Sequence, residues 1–62
     1  MKELAKKILY QVYQKETPTN IKKVVKILKT DETDPATDIC DVLGIERRHN
    51  RAEIRKVISQ NQ

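Results

Sequence analysis

The apolar residues of this chain recur every three to four positions in four separate stretches. In the first stretch, which extends from Lys2 to about Lys15, these positions are Leu4, Ala5, Ile8, Leu9, Val12 and Tyr13. That spacing is typical of one face of an amphipathic helix. Because a proline disfavours helical geometry at the residue before it, the first helix should end before Pro18.

Two proline residues mark the starts of the next two helices. Thr17 precedes Pro18, and Asp34 precedes Pro35. In each pair the side-chain oxygen can accept hydrogen bonds from the first backbone amides, while proline tolerates the first helical position. The predicted second helix buries Ile21, Val24, Val25 and Leu28 and leaves Ile27 outside the main stripe. The predicted third helix covers about Pro35 to Leu43 and buries Ala36, Ile39, Cys40 and Leu43.

A glycine and a polar pair predict how the third helix ends and the fourth begins. Gly44 is suited to the left-handed residue that stops a helix, with Ile45 packing back on the preceding turn. Asn50, followed three residues later by Glu53, matches a capping box that opens the fourth helix. The apolar stripe of that helix is Ile54, Val57 and Ile58.

These elements predict an all-α fold, a small bundle of about four short helices in a single domain that spans residues 1–62. No stretch alternates apolar and polar residues over the length of a strand. The core is expected to be marginal, because the chain has 62 residues and Tyr10 and Tyr13 are its only aromatics. We therefore expect a homodimer, with Tyr10 and Ile27 as dimer or partner contacts because both lie off the predicted core stripes.

Positive and negative charges are segregated along the chain. Residues 1–29 carry eight lysines and two glutamates, and residues 30–46 carry six acids and no base. Residues 47–62 carry four arginines and one lysine against one glutamate, and the net charge is +4. Such segregation suits basic surfaces that meet a polyanion, or surfaces of opposite sign that meet each other within the fold or between copies.

The segment from residue 36 to residue 58 consists of a short helix, a glycine turn and a basic helix. Around the glycine, small or apolar residues stand at Ile39, Cys40, Leu43 and Ile45. The segment resembles the helix-turn-helix motif of DNA-binding domains, if the turn is longer by about four residues so that Ile54 and Val57 take the later core positions. The resemblance implies DNA binding, with the second helix of the motif placed in the major groove.

The densest basic cluster of the chain surrounds the start of the fourth helix. This arginine cluster comprises Arg47, Arg48, Arg51, Arg55 and Lys56. The planar fork of arginine suits phosphates and guanine edges. We therefore predict a small basic nucleic-acid-binding regulatory protein, with DNA as the expected polymer. The lysines of the first two helices are weaker evidence, because lysine is also a good helix former that keeps surfaces soluble.

The alternative is a protein-interaction module, such as a small inhibitor or adaptor that docks a partner protein. Asp38, Asp41 and Glu46 are close enough in sequence to pair with arginines of the cluster. If the acidic residues lie beside the basic helix, they repel phosphate and favour a protein partner. If they lie on the opposite face, the basic surface is open to a nucleic acid.

Catalytic and cofactor chemistry is not expected. Cys40 and His49 are each the only residue of their type, so neither a disulfide within the chain nor a metal site of the usual nitrogen and sulfur ligands is predicted. No phosphate-binding loop or nucleophile elbow occurs, so we predict that the protein is not an enzyme. The free thiol, and the lack of a leader-like or membrane-spanning apolar run, favour a cytoplasmic protein without a membrane role.

Overall fold

The computed structural model describes residues 1–30 and 33–61 and contains four helices in this part of the chain. They are α1 (Lys2–Gln11), α2 (Pro18–Lys29), α3 (Pro35–Leu43) and α4 (Asn50–Gln60). Each helix packs on the next one in the chain, and α4 returns to pack on α1. The prediction of a small all-α bundle is confirmed. Asp31 and Glu32 of the predicted acidic connector, and Gln62, lie outside the described residues.

The cap of α2 and the stop of α3 follow the sequence signals. The Thr17 hydroxyl accepts a hydrogen bond from the Asn20 amide at 3.1 Å, and Pro18 is the first helical residue. At the end of α3, Gly44 takes the left-handed conformation with φ 68°. Its N–H donates to the Asp41 carbonyl, and the Ile45 N–H donates to the Cys40 carbonyl at 3.0 Å. These two bonds form a Schellman stop.

The end of α1 differs from the prediction, because the helix stops at Gln11 rather than near Lys15. Tyr13 has φ 58° and takes the left-handed position that glycine usually fills. Its N–H donates to the Tyr10 carbonyl, and the Gln14 N–H donates to the Leu9 carbonyl at 2.9 Å. The hydrogen bonds are those of the α3 stop. With a tyrosine in place of glycine, the sequence contains no recognisable stop signal here.

The predicted capping box at the start of α4 is wrong. Asn50 lies inside the helix, and its side-chain amide donates to the Glu46 carbonyl at 2.8 Å. His49 precedes the helix with φ 71° and makes no side-chain cap. Glu53 turns toward α1, where its carboxylate accepts a long hydrogen bond of 3.5 Å from the Gln11 amide. The start of α4 is therefore held by the hydrogen bond from Asn50 to the connection, residues 44–49, and not by a capping box.

The core draws on all four helices and contains no charged side chain among the described residues. Its buried members are Ala5, Ile8, Leu9, Val12, Ile21, Val24, Ile27, Ala36, Ile39, Cys40, Ile54 and Val57. The assignment of Ile27 to a face outside the core is wrong, since its side chain is buried while Val25 and Leu28 are only half-buried. Helix α2 packs on both α1 and α3, so its apolar face is rotated from the predicted stripe.

Candidate functional site

The arginine cluster lies on the connection between α3 and α4 and on the first two turns of α4. Its members are exposed, except that Arg51 is half-buried. The Arg51 N–H donates to the Arg47 carbonyl at 2.9 Å, which joins the connection to the first turn of the helix. The five predicted cationic residues follow α3 along its length, since Arg47 contacts Asp41 in the last turn of α3 and Arg55 contacts Asp34 just before its first residue.

Arg47 is held by an aspartate from the preceding helix. Its Nε and Nη2 atoms donate to the two carboxylate oxygens of Asp41 at 3.0 and 2.9 Å. This two-pronged geometry is the strongest form of arginine pairing. The hydrogen bonds from Arg47 lower the pKa of the Asp41 carboxyl below its ordinary value of 3.8. In the same pair, the carboxylate raises the pKa of the Arg47 guanidinium.

Two further members of the cluster also have a carboxylate beside them. Arg55 donates from Nη2 to Asp34 Oδ2 at 3.0 Å, which ties α4 to the residue just before α3. The predicted side-chain cap by Asp34 is wrong, because its carboxylate makes no capping hydrogen bond to the backbone amides of α3. The Thr37 hydroxyl donates to the same carboxylate and, with Arg55, lowers the pKa of Asp34. Lys56 lies 3.5 Å from Glu53, one turn earlier on α4. Among the described residues, acids therefore lie within the arginine cluster rather than opposite it, which is the arrangement expected to repel phosphate at these three cations and to favour a protein partner there.

Arg48 and Arg51 differ from the other three cations of the cluster. Within residues 1–30 and 33–61, neither side chain lies within 4.0 Å of a carboxylate. Arg48 is exposed on the connection, and its carbonyl accepts the Asn50 N–H at 2.7 Å. The arginine cluster thus has two parts: Arg48 and Arg51, which have no carboxylate within 4.0 Å among the described residues, and the three cations that are already paired.

The two predicted partner-contact residues lie in different environments. Tyr10 is 74% exposed on α1, and Tyr13 just after the helix is 94% exposed, although the sequence pattern placed Tyr13 in the core stripe. Both tyrosines border one shallow hollow together with Gln11. Ile27 is only 9% exposed, so it offers a partner much less surface than predicted.

A groove between α2 and α3 was missed in the sequence pattern. The α2–α3 groove is lined by Lys23, Lys26, Ile27, Thr30, Asp38, Asp41 and Val42. Lysines line the α2 side of the groove and aspartates line the α3 side. Val42, which is 42% exposed, adds apolar surface. No sequence signal could have identified this groove, because its two sides belong to different helices that are brought together only by the packing of α2 on α3.

The two remaining candidates for chemistry, Cys40 and His49, lie in different environments. Cys40 is fully buried in the core, and that burial raises the pKa of its thiol. His49 is exposed in the connection before α4. In the described part of the chain, no group of three or more His, Cys, Asp or Glu side chains is arranged to hold a metal ion. None of the described helices has the length and apolar character needed to cross a membrane.

Comparison with known proteins adds no relative from which a role could be transferred. The function therefore has to be inferred from the residues of the chain itself. No family model, curated protein or solved structure matches this sequence.

Proposed function

We propose that this chain is a small nucleic-acid-binding protein with a regulatory role, and that DNA is its polymer. The observation that carries the proposal is the surface charge. The described core contains no charged side chain, so the net charge of +4 is carried by the surface. A cationic surface attracts the phosphate backbone and displaces its counterions, and this supplies most of the affinity of non-specific binding.

Two members of the arginine cluster add to this support, because they have no acid beside them in the described part of the chain. Arg48 and Arg51 have no carboxylate within 4.0 Å among the described residues, so they can meet phosphate without exchanging a partner. Arg47 and Arg55 would have to leave Asp41 and Asp34. Both pairs are exposed to solvent, where ion pairs contribute little to stability, so this exchange is affordable.

Binding can be tested by fluorescence anisotropy with a labelled random duplex and a labelled single strand. The titrations are run at low and at moderate salt. We expect affinity to fall with salt, by a slope of about −0.9 in log affinity against log salt for each neutralised phosphate of duplex DNA. Binding that is no tighter than millimolar at low salt would remove the nucleic-acid proposal.

A protein-interaction module is the second candidate, and the tyrosine surface favours it. Tyr13 holds a left-handed backbone conformation, which costs a non-glycine residue about 1–2 kcal/mol, yet its ring is 94% exposed and gains little burial. Tyr10 exposes its ring beside it. Rings of this kind are common anchors in protein interfaces. A homodimer, or a small inhibitor or adaptor bound to another protein, would cover them.

Sedimentation equilibrium at tens of micromolar tests the homodimer form of this candidate. Because the chain has no tryptophan and both tyrosines are exposed, tyrosine fluorescence provides an independent reporter of the same surface. We expect a concentration-dependent mass and a change in tyrosine emission over the same range. A monomer at all concentrations, with a melting temperature that does not depend on concentration, would exclude the homodimer.

A further inference from the structure

The exposed side of α2 is a cationic surface without an acid of its own. Its 12 residues include four lysines and no aspartate or glutamate. These lysines, which we call the lysine face, are Lys22, Lys23, Lys26 and Lys29, and all four are exposed. Three of them follow the i, i+4, i+7 spacing of one helix stripe, and Lys23 lies beside that stripe.

The lysine face has further lysines next to it on the α1 side and aspartates next to it on the α3 side. Toward α1, a groove with Ile21 and Val25 among its lining residues brings Lys2 and Lys6 close to Lys22, and Glu16 is the acid of that groove. Toward α3, Asp38 and Asp41 border the α2–α3 groove near Lys23 and Lys26. In the described part of the chain, no side chain of the lysine face lies within 4.0 Å of a carboxylate.

The arginine cluster has the opposite arrangement. Arg47, Arg55 and Lys56 each lie 2.9–3.5 Å from a carboxylate. These separations are far inside the screening length of about 10 Å at 0.1 M salt. A phosphate that approaches those three cations therefore meets the repulsion of Asp41, Asp34 or Glu53 at close range. A phosphate that approaches α2 meets no carboxylate on the helix itself, and Glu16, Asp38 and Asp41 border the lysine face without an ion pair to it among the described residues.

The length of the lysine face also suits a phosphate backbone. At 1.5 Å per residue, Lys22 and Lys29 are separated by about 10 Å along the helix axis. Phosphates of one DNA strand are spaced by about 3.4 Å along the duplex axis, so the face is long enough to contact more than one phosphate. Lysine side chains are flexible point charges that suit phosphates more than base edges.

We infer that the lysine face of α2, and not the arginine cluster, is the principal phosphate-contacting surface of this protein. The inference rests on the proposed nucleic-acid function and assigns it to a different helix from the one that the sequence favours. Contacts of this kind position a nucleic acid without reading its sequence, so the affinity supplied by α2 should be the same for unrelated duplexes.

The test compares two double variants that each remove two positive charges from one helix. Lys22→Gln with Lys26→Gln neutralises two lysines one turn apart on the lysine face, and Arg51→Gln with Arg55→Gln neutralises two arginines with the same spacing on α4. Glutamine has nearly the helix propensity of lysine and arginine, so both variants should fold. Far-UV circular dichroism checks their folding. Lys22→Arg with Lys26→Arg keeps the charge and serves as the matched control.

Each protein is titrated against labelled random duplex DNA over a series of salt concentrations. We expect the lysine variant to flatten the slope of log affinity against log salt by about two units, since two phosphate contacts are lost, while the control keeps the wild-type slope. The arginine variant should change the slope by less. An arginine variant that loses as much slope as the lysine variant, or more, overturns the inference but leaves the proposed function intact. Absence of wild-type binding removes the proposed function itself.

Discussion

The bundle consists of two helical hairpins, one with eight lysines and the other with four arginines and one lysine, and the two sets of cations have different surroundings. In the α1–α2 hairpin the lysines of α2 face solvent without an acid on their own helix. In the α3–α4 hairpin three of the five cations of the arginine cluster lie beside Asp34, Asp41 or Glu53. The density of positive charge along a sequence is therefore a poor guide to the surface that keeps that charge available.

The first helix of each hairpin ends in the same kind of turn. Each first helix ends in the same pair of backbone hydrogen bonds around a left-handed residue, which is Tyr13 in one hairpin and Gly44 in the other. Glycine adopts this conformation without strain, whereas tyrosine does not. The same turn thus costs more in the α1–α2 hairpin, where the left-handed residue also exposes an aromatic ring.

The largest expected effect comes from a buried residue of α1, which contacts both hairpins. Helix α1 packs on both α2 and α4, and Leu9 is fully buried in it. Leu9→Ala should lower the free energy of unfolding by about 2–5 kcal/mol, the usual cost of truncating a buried leucine, and could unfold so small a domain. Urea denaturation measures the change. Tyr10→Ala, at an exposed neighbour, is the control and should stay within about 0.5 kcal/mol.

A pair of adjacent residues sharpens the description of α2. Ile27 is 9% exposed and belongs to the core, whereas Leu28 is only partly buried against it. Ile27→Ala should cost about 2–5 kcal/mol, and Leu28→Ala should cost less because part of its surface already contacts water. Thermal or urea unfolding of the two variants under the same conditions decides the order. A larger loss for Leu28→Ala would mean that α2 is rotated back toward the stripe predicted from sequence.

The backbone strain at the two left-handed residues, Gly44 and Tyr13, can be compared by substituting each of them. Gly44→Ala should destabilise by about 1–2 kcal/mol through backbone strain alone, because no atom lies within 4 Å of the added Cβ. Tyr13→Gly should relieve similar strain and stabilise the fold, by less than that strain because glycine loses more conformational freedom on folding. Unfolding free energies of both variants test the comparison. Stabilisation by Gly44→Ala, or a clear loss for Tyr13→Gly, would contradict the role given to the left-handed residue.

The smallest effect concerns the ion pairs of the α3–α4 hairpin and depends on pH. The pKa values of Asp34 and Asp41 are lowered from their ordinary value of 3.8, in Asp34 chiefly by the Thr37 hydroxyl and in Asp41 by Arg47. Their contribution to stability is therefore present above pH 3.8 and is lost as the pH falls through the lower folded values. Melting temperatures measured from neutral pH down to pH 2 should show this loss.

The Asp41→Asn variant serves as a control for that titration. An asparagine does not ionise in this range, so the variant should lose less stability on acidification than the wild type does. Protonation of Asp41 and Asp34 at low pH should also remove the ion pairs of Arg47 and Arg55. The cations of the α3–α4 hairpin would then lack a charged partner, as the lysines of α2 do. Equal acid sensitivity of the wild type and the variant would show that the Arg47 pair adds nothing to folding.

Local signals predicted the helices well and their ends unevenly. Thr17 with Pro18, and Gly44 with Ile45, were sufficient to place the start of α2 and the stop of α3, since each acts through hydrogen bonds to its own neighbours. The stop at Tyr13 and the start at His49 were not predictable. Both are non-glycine residues with positive φ, a conformation that is uncommon even for histidine, which adopts it more often than tyrosine does.

The sequence by itself determined the number of helices, most of the core and the total charge, because each depends on composition or on a periodicity within one helix. Only the tertiary structure decided which faces were covered and which charges were neutralised. Ile27 is buried because α2 packs on two neighbours, and the arginine cluster is partly neutralised because α3 brings Asp34 and Asp41 against it. Those outcomes depend on contacts between helices, whose geometry a one-dimensional pattern does not contain.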